Sequence, residues 1–229
     1  YSYVEGENRK PEAVRCNGSG SMAIEVPPRG YVVYSVATAL PEPWTSGDIG
    51  NVGVVGSAIH VDGIFTLTGS GHDIEGTIDA FSFVSTPVSG GIDIAVRVGQ
   101  LDNTDPWAKA GIMIRGGQDA SAPNAAVLVT PENGIAFQWR ATAGGQTESV
   151  RVNGPKAPCW IGLRRTDGKC HALYSQDGKR WHDLGQGQPL ELSGEVSAGP
   201  VVSSHVIGNL ATAIFDNLSV TANGNASKD

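Results

Sequence analysis

The sequence predicts an all-β protein, built as a two-sheet antiparallel sandwich of the jelly-roll type and preceded by a β-hairpin segment. Apolar and polar residues alternate in residues 64–68 and 92–98, which is the pattern of strands with one buried face. Turn signals at residues 131–134 (PENG), 143–145 (AGG) and 177–178 (DG) separate short strands, as in β-sandwiches. Apolar residues do not recur at helical spacing for more than a turn or two.

The composition agrees with short strands joined by tight turns, and it argues against two classes of partner. The chain has 229 residues, of which 31 are glycine and 17% are charged, and it is long enough to bury a sizeable core. Its net charge of −7 argues against nucleic acid, because phosphate contacts need a basic surface. No stretch approaches the ~18 consecutive apolar residues of a membrane span. We therefore expect neither nucleic-acid nor membrane partners.

The main sandwich is predicted over residues 44–221. Its strands are predicted from the alternation and the turn signals at residues 64–68, 92–98, 125–130, 135–141, 160–165, 170–175, 195–202 and 211–220. Residues 39–43, which include two prolines, are predicted to be a linker. The small, polar residues 222–229 are predicted to be a frayed tail.

Residues 1–38 differ in character from the rest of the chain. Residues 23–26 and 31–36 are predicted to form two strands around the turn Pro27-Pro28-Arg29-Gly30. Since the sequence opens at Tyr1 with neither an initiator methionine nor a signal peptide, we expect a processed or cut piece of a longer protein. Residues 1–38 are then a hairpin remnant or the end of a preceding β-sandwich domain. Alternatively, this hairpin packs on the main sandwich as an extension.

The three cysteines leave at least one thiol unpaired. Cys159 and Cys170 flank a predicted hairpin whose turn is Asp167-Gly168, and in a two-residue register Cys170 faces Arg165. Cys159 is then several residue pairs away, which is too far for a disulfide. Pairing of Cys16 with one of the other two and three free thiols both stay open.

Five short sequence motifs in the main sandwich together resemble those of the concanavalin A-like (laminin G-like) jelly-roll modules of the DUF1349 type. They are residues 44–50 (WTSGDIG), 69–76 (GSGHDIEG), 107–115 (WAKAGIMIR), 174–181 (YSQDGKRW) and 215–220 (FDNLSV). The phrase at 107–115 is the most specific, and Glu75 departs mildly from the pattern, where an aromatic residue is more usual. The resemblance covers about residues 44–221 and implies a concanavalin A-like fold.

The resemblance also implies a working context. Modules of this type sit in large secreted or cell-surface proteins of bacteria, often beside carbohydrate-active enzymes. The predicted hairpin at 23–36 resembles the closing hairpin of the β-sandwich that follows the catalytic barrel in many glycoside hydrolases. The implied partners are a poly- or oligosaccharide and a catalytic domain of the same parent protein.

An acidic cluster of His72, Asp73, Glu75 and Asp79 is the first candidate for chemistry. Glycoside hydrolysis uses two carboxylates, ~5–5.5 Å apart for retention or ~6.5–9.5 Å apart for inversion. Jelly-roll glucanases carry them as Glu-x-Asp-x-x-Glu, and the order here does not match. A solvated or turn-capping cluster is the favoured interpretation, with catalysis or a cation site as alternatives.

A serine–histidine–aspartate triad can be assembled on paper from Ser203, Ser204, His205 and Asp216. A nucleophile elbow needs Gly-x-Ser-x-Gly between a strand and a helix, and the sequence has neither that phrase nor that helix. We expect His205 to be a loop histidine that bonds a backbone carbonyl.

A structural Ca²⁺ is the predicted cofactor. Hard cations take carboxylate and carbonyl oxygens from irregular loops. The first and last strands of jelly rolls usually run side by side, which would bring Asp48 near Asp216. Alternatively, both aspartates accept hydrogen bonds from backbone N–H groups at strand ends.

The predicted ligand surface comprises Trp107, Lys109, Arg115, Gln138 and Arg140. Sugar binding needs an aromatic platform and a few fixed polar groups. The apolar triplet Ala110, Ile112 and Ile114 is core, so Lys109 and Arg115 face out, with Trp107 at the rim. Alternatively, Trp107 and Trp139 are packing residues and the cations are solvated. The hairpin around Tyr174 and Trp181 is a second candidate.

The function predicted from these observations is a non-catalytic accessory carbohydrate-binding module of a secreted bacterial carbohydrate-active enzyme. Two other classes stay open. One is a structural module that supports a neighbouring glycoside hydrolase domain without binding sugar. The other is a polysaccharide hydrolase or lyase in its own right.

Overall fold

The computed structural model describes residues 2–4, 32–34, 40–190, 192 and 194–223. The chain divides into two compact units, Tyr1–Thr38 and Ala39–Asp229. The described residues form nineteen strands and no helix, so no helix among them is long and apolar enough to cross a membrane.

The first six strands are β1 (Ser2–Val4), β2 (Val32–Tyr34), β3 (Thr45–Ile49), β4 (Ser57–Val61), β5 (Ile64–Gly69) and β6 (Ile74–Glu75). The next seven are β7 (Ile78–Asp79), β8 (Phe81–Ser89), β9 (Gly91–Leu101), β10 (Lys109–Arg115), β11 (Asn124–Val129), β12 (Ile135–Arg140) and β13 (Glu148–Val152). The last six are β14 (Cys159–Thr166), β15 (Lys169–Ser175), β16 (His182–Asp183), β17 (Gln188–Pro189), β18 (Glu195–Ser203) and β19 (Ala211–Asn223).

Two large antiparallel sheets build the second unit and confirm the predicted jelly-roll sandwich. The seven-stranded sheet has the order β13-β12-β11-β10-β18-β8-β3. The eight-stranded sheet has the order β16-β15-β14-β9-β19-β5-β4, with β17 also paired to β15. A short hairpin of β6 and β7 belongs to neither sheet.

Each strand that was predicted within residues 44–221 is present, with its ends within a few residues of the expected positions. In the hairpin of β14 and β15, Cys170 faces Arg165 as predicted, and Cys159 and Cys170 are free buried thiols. Cys16 lies outside the described residues. So do the predicted strand at 23–26, the turn at 27–30 and residues 224–229 of the predicted tail, so the domain assignment stays a prediction.

The main hydrophobic core lies between the two sheets. Ala110, Ile112 and Ile114 of β10 are fully buried in it, which confirms the face predicted for that apolar triplet. Trp139 also belongs to this core and is only 7% exposed, in agreement with its interpretation as a packing residue.

A second, smaller core lies on the outer face of the seven-stranded sheet, which is the face turned away from the eight-stranded sheet. Met113, Leu128 and Val201 of that sheet pack there with Ile74 of the β6–β7 hairpin. Because this hairpin covers part of the outer face, polar residues on that face lie beneath protein instead of solvent. This cover determines the geometry of the candidate site.

Candidate functional site

A pocket of about 640 Å³ lies on the outer face of the seven-stranded sheet, beside the β6–β7 hairpin. Gln138 of β12 and Arg151 of β13 line its sheet side, and Glu75 lines its hairpin side. Trp107, in the loop before β10, stands at the pocket as predicted for the rim of the ligand surface. The pocket therefore brings together side chains from separate parts of the chain.

The Trp107 backbone is hydrogen-bonded within its own loop, and its indole ring lies close to two cationic side chains. Its backbone N–H donates a hydrogen bond of 2.7 Å to Asp105 Oδ1, and its side chain is 37% exposed. The guanidinium carbon of Arg151 lies 4.8 Å from the ring centroid, and Lys109 Nζ lies 5.8 Å from it. The indole thus supports charged side chains, in addition to any contact with a ligand.

Gln138 lines the pocket and carries a buried amide oxygen that lacks a hydrogen-bond partner among the described residues. Its side chain is 4% exposed, and its buried Oε1 has no partner among the described residues. An unpaired buried amide oxygen is unfavourable by ~1–3 kcal/mol, so such groups commonly mark a place that a water or a ligand hydroxyl fills. Position 138 was predicted as a ligand residue, and the structure places it in the pocket wall.

Asp73 is engaged by two neighbouring side chains. Lys109, which is 3% exposed, forms a short ion pair with Asp73 Oδ1, and the backbone N–H of Ile74 donates to the same oxygen at 2.6 Å. His205 Nε2 lies 3.2 Å from Asp73 Oδ2, and its Nδ1 lies 3.2 Å from Asp105 Oδ1. Lys109 is therefore at the pocket as predicted, but its charge is neutralised by Asp73.

His205 differs from its predicted role. We expected a loop histidine bonded to a backbone carbonyl, and instead its ring lies between the carboxylates of Asp73 and Asp105. Its φ of 62° is in the left-handed region, which residues other than glycine rarely occupy. Such strain is concentrated at functional sites, and here it accompanies a side chain that lines the pocket.

Glu75 is the exposed carboxyl group of the pocket. Partial desolvation raises its pKa first, and the negative charge and hydrogen bond of Asp73 raise the pKa further. Lys109 and His205 oppose that rise more weakly. Glu75 therefore holds its proton more tightly than an isolated glutamate does.

Arg115 and Arg140 do not line the pocket, in contrast to the prediction. Both are 0% exposed and converge on Asp79 of β7. Arg115 Nη1 donates to Asp79 Oδ2 at 2.6 Å, and Arg140 donates to both carboxylate oxygens at 2.8 and 2.6 Å. Burial lowers the pKa of the Arg115 guanidinium, and Asp79 opposes that effect. Their outward direction was predicted correctly, but the β6–β7 hairpin covers them.

The acidic cluster predicted around residues 72–79 is accordingly split. Asp79 pairs with the two buried arginines, whereas Asp73 and Glu75 line the pocket. His72 is exposed and stacks against His205 with ring centroids 5.7 Å apart. Among the described residues, no group of three or more His, Cys, Asp or Glu side chains is arranged to hold a metal ion.

Asp48 and Asp216 do not share a site, in contrast to the geometry predicted for calcium. β3, which carries Asp48, is an edge of the seven-stranded sheet, whereas β19, which carries Asp216, lies inside the eight-stranded one. Asp48 accepts hydrogen bonds from Gly56 N at 3.1 Å and Ser82 Oγ at 2.6 Å, and Asp216 pairs with Arg97 at 2.7 Å. These residues do not fit a shared cation, and calcium binding stays a prediction.

The triad considered for Ser203, Ser204 and His205 does not assemble with Asp216, which pairs with Arg97. Ser203 Oγ donates to the carbonyls of Gly71 and Ala80 at 3.3 and 3.2 Å. Ser204 Oγ donates to the carbonyl of Val206 at 2.8 Å. Both hydroxyls therefore stabilise loops.

The second candidate, around Tyr174 and Trp181, lies on the eight-stranded sheet. Tyr174 stacks on His182 with centroids 5.2 Å apart, and Trp181 is 37% exposed beside Gly162. Asp177 Oδ1 accepts the N–H groups of Lys179 and Arg180 at 2.8 Å each, which lowers the Asp177 pKa to about 2. The aspartate thus fixes the turn, as the Asp-Gly phrase predicted.

Arg151 was missed by sequence reasoning as a pocket residue. Ser149, Arg151 and Asn153 all line the pocket, which is an alternating polar face of β13 and the residue after it. That alternation is visible in the sequence, but β13 lacks the flanking apolar run that located the other strands.

No family model matches the chain, and no curated protein matches it. Among solved structures, a functionally unknown protein from Saccharomyces cerevisiae has a TM-score of 0.60 at 20% identity, covering 73% of this chain and 92% of that one. The GH43 protein BlXynB from Bacillus licheniformis has a TM-score of 0.54 at 16% identity, covering 70% of this chain and 33% of its own. The carbohydrate binding module CBM66 from Bacillus subtilis has a TM-score of 0.51 at 14% identity, covering 78% and 95%. These likenesses show a shared sandwich fold.

Proposed function

We propose that this chain is a non-catalytic carbohydrate-binding module that acts as an accessory to a secreted bacterial carbohydrate-active enzyme, and that the pocket beside the β6–β7 hairpin is its ligand site. The observation that carries the proposal is Gln138, a buried amide whose oxygen has no partner among the described residues and which lines an open pocket. A volume of about 640 Å³ suits one or two sugar units.

The pocket chemistry supports a sugar as the ligand. Sugars present many hydroxyl groups, each of which both donates and accepts a hydrogen bond, together with apolar ring faces. Gln138 offers an amide, Glu75 offers a carboxyl group, and Trp107 offers an indole edge or face at the rim. Tethering such a site to a catalytic domain raises the local concentration of substrate without new chemistry.

The fold comparisons support the accessory role. One structure with the same sandwich is described as a carbohydrate binding module, and the chain corresponds to about a third of BlXynB, a GH43 protein. The DUF1349-type resemblance belongs to the same proposal. Hydrolysis is less well supported, because Asp73 is engaged by Lys109 and His205.

The test is retention of the full chain on arrays of plant, algal and bacterial polysaccharides, with Trp107→Ala compared with Trp181→Ala. The two tryptophans have equal exposure, 37%, and lie in loops that are attached to different sheets. We expect Trp107→Ala to weaken binding ~10-fold or more, which is about 1.4 kcal/mol, and Trp181→Ala to leave it unchanged.

Other outcomes separate the alternatives. Loss of binding only in Trp181→Ala would move the site to the eight-stranded sheet. Retention by no glycan would favour the structural module. An arm with EDTA tests the calcium prediction, because removal of a required cation abolishes retention. Circular dichroism checks that each variant is folded.

A further inference from the structure

Arg151 is a cationic side chain of the pocket that forms no ion pair with another described residue. It lies on β13, an edge strand of the seven-stranded sheet, and its side chain is exposed at the pocket. The ion pairs formed within the described residues do not include Arg151. Lys109, the other strong cation of the pocket, is neutralised by Asp73.

The Arg151 guanidinium is also held in place. It lies over the Trp107 ring, with its central carbon 4.8 Å from the ring centroid. Stacking on an aromatic ring restricts a long side chain and leaves the N–H groups at the guanidinium edge free to donate. A planar guanidinium held in this way is suited to a carboxylate, which accepts two parallel hydrogen bonds from it.

The surrounding groups leave room in the pocket beside Arg151. Ala136 is the residue on β12 directly opposite Arg151, and its small side chain keeps the pocket open there. Asp73 is paired with Lys109, which leaves Glu75 as the carboxyl group of the pocket without an ion pair among the described residues. Gln138, opposite Ser149 on the same pair of strands, lies one step along the pocket with its unpartnered amide oxygen.

We infer that the sugar unit bound in this pocket is a uronate, whose carboxylate is received by Arg151. This inference rests on the proposed carbohydrate-binding function and names the ligand class within it. It predicts that charge on the sugar, and not only its ring, determines affinity.

The experiment compares three polyuronates, namely polygalacturonate, alginate and polyglucuronate, each with its carboxyl-reduced neutral form. Reduction converts the carboxylate to a primary alcohol and keeps the linkage. The full chain is tested as wild type, Arg151→Gln, Arg151→Lys and the control Arg180→Gln, which removes the same charge from an exposed position elsewhere. Binding is measured at low and high salt, because screening weakens charge-dependent binding.

The expected result is that at least one polyuronate binds ~10-fold or more tightly than its neutral form, which corresponds to about 1.4 kcal/mol. Arg151→Gln is expected to remove that preference, and Arg151→Lys to retain only part of it, because a lysine lacks the planar fork. Arg180→Gln is expected to keep the preference.

Three results would overturn the inference. If Arg151→Gln and Arg180→Gln weakened polyuronate binding equally, the preference would depend on the net charge of the protein and not on Arg151. If neutral polysaccharides bound in a Trp107-dependent way and carboxylates did not increase the affinity, the proposed function would still be supported. The inference of a uronate ligand would then be wrong. Failure to bind any charged or neutral glycan would remove both.

Discussion

The carboxylate of Asp79 lies between two guanidinium groups, and all three side chains are 0% exposed. Taking these charges out of water is unfavourable, and only their close pairing offsets it. Backbone carbonyls of Asp119, Ala120 and Ala122 accept further hydrogen bonds from the same guanidinium groups. Asp79 therefore ties the β6–β7 hairpin to the sheet beneath it.

Removal of this carboxylate should destabilise the protein strongly. We expect Asp79→Ala to lower the free energy of unfolding by ~3–5 kcal/mol, because two buried cations lose their counterion. Arg164→Gln is the control, since the Arg164–Asp93 ion pair is half exposed, with side-chain exposures of 52% and 37%, and is expected to contribute ~1 kcal/mol or less. Urea denaturation measures both, and equal small losses would show that backbone carbonyls alone stabilise the guanidinium groups.

At the scale of elements, the β6–β7 hairpin forms one wall of the candidate pocket. The Ala80 N–H donates to the Asp73 carbonyl at 2.8 Å, and Thr147 N–H donates to the Gly76 carbonyl at 2.8 Å. The buried Ile74 anchors the hairpin in the outer core, while Ile78 on the other strand is 66% exposed. The hairpin thus has one apolar anchor and one free apolar side chain.

This difference gives a matched pair of substitutions in one hairpin. We expect Ile74→Ala to destabilise the protein by ~2–5 kcal/mol, because it leaves a cavity in a packed core. Ile78→Ala is expected to change stability by less than ~0.5 kcal/mol, since its side chain is already in solvent. Thermal or urea unfolding compares them, and similar effects would contradict an anchoring role for Ile74.

The alternation of apolar and polar residues located β5 and β9, but it could not locate every strand. β5 and β9 alternate because one face of each is partly exposed. β8 was missed, because Phe81 and Phe83 enter the outer core while Val84 and Val88 enter the main core. Its consecutive buried residues therefore show no alternation.

The site was predicted in part for a related reason. Alternation correctly placed Lys109, Arg115 and Gln138 on the face opposite the main core. It could not show that Asp79, 36 residues before Arg115 and 61 before Arg140, would pair with both. Long-range ion pairs leave no local periodicity, so a buried salt bridge and a solvated surface give the same sequence pattern.

At the scale of the whole molecule, the main hydrophobic core and the candidate pocket lie in different regions of the sandwich. The main core lies between the sheets, whereas the candidate pocket lies outside the seven-stranded sheet. Cys159 and Cys170, on neighbouring strands of the eight-stranded sheet, are 1% and 0% exposed within the main core. Burial raises the pKa of each thiol to about 12, so both report on the opening of this core.

We expect neither thiol to react with a thiol reagent at pH 8 in the native Cys16→Ser protein, because the thiolate is the reactive form and is disfavoured there. Both should react together in urea, at the rate at which the sandwich unfolds. Since the folded pKa exceeds the unfolded value of ~8.5, the stability that the neutral thiols contribute is lost as the pH rises from there towards 12. Timed labelling with mass spectrometry measures this, and rapid native labelling of one thiol would show that its strand opens independently of the main core.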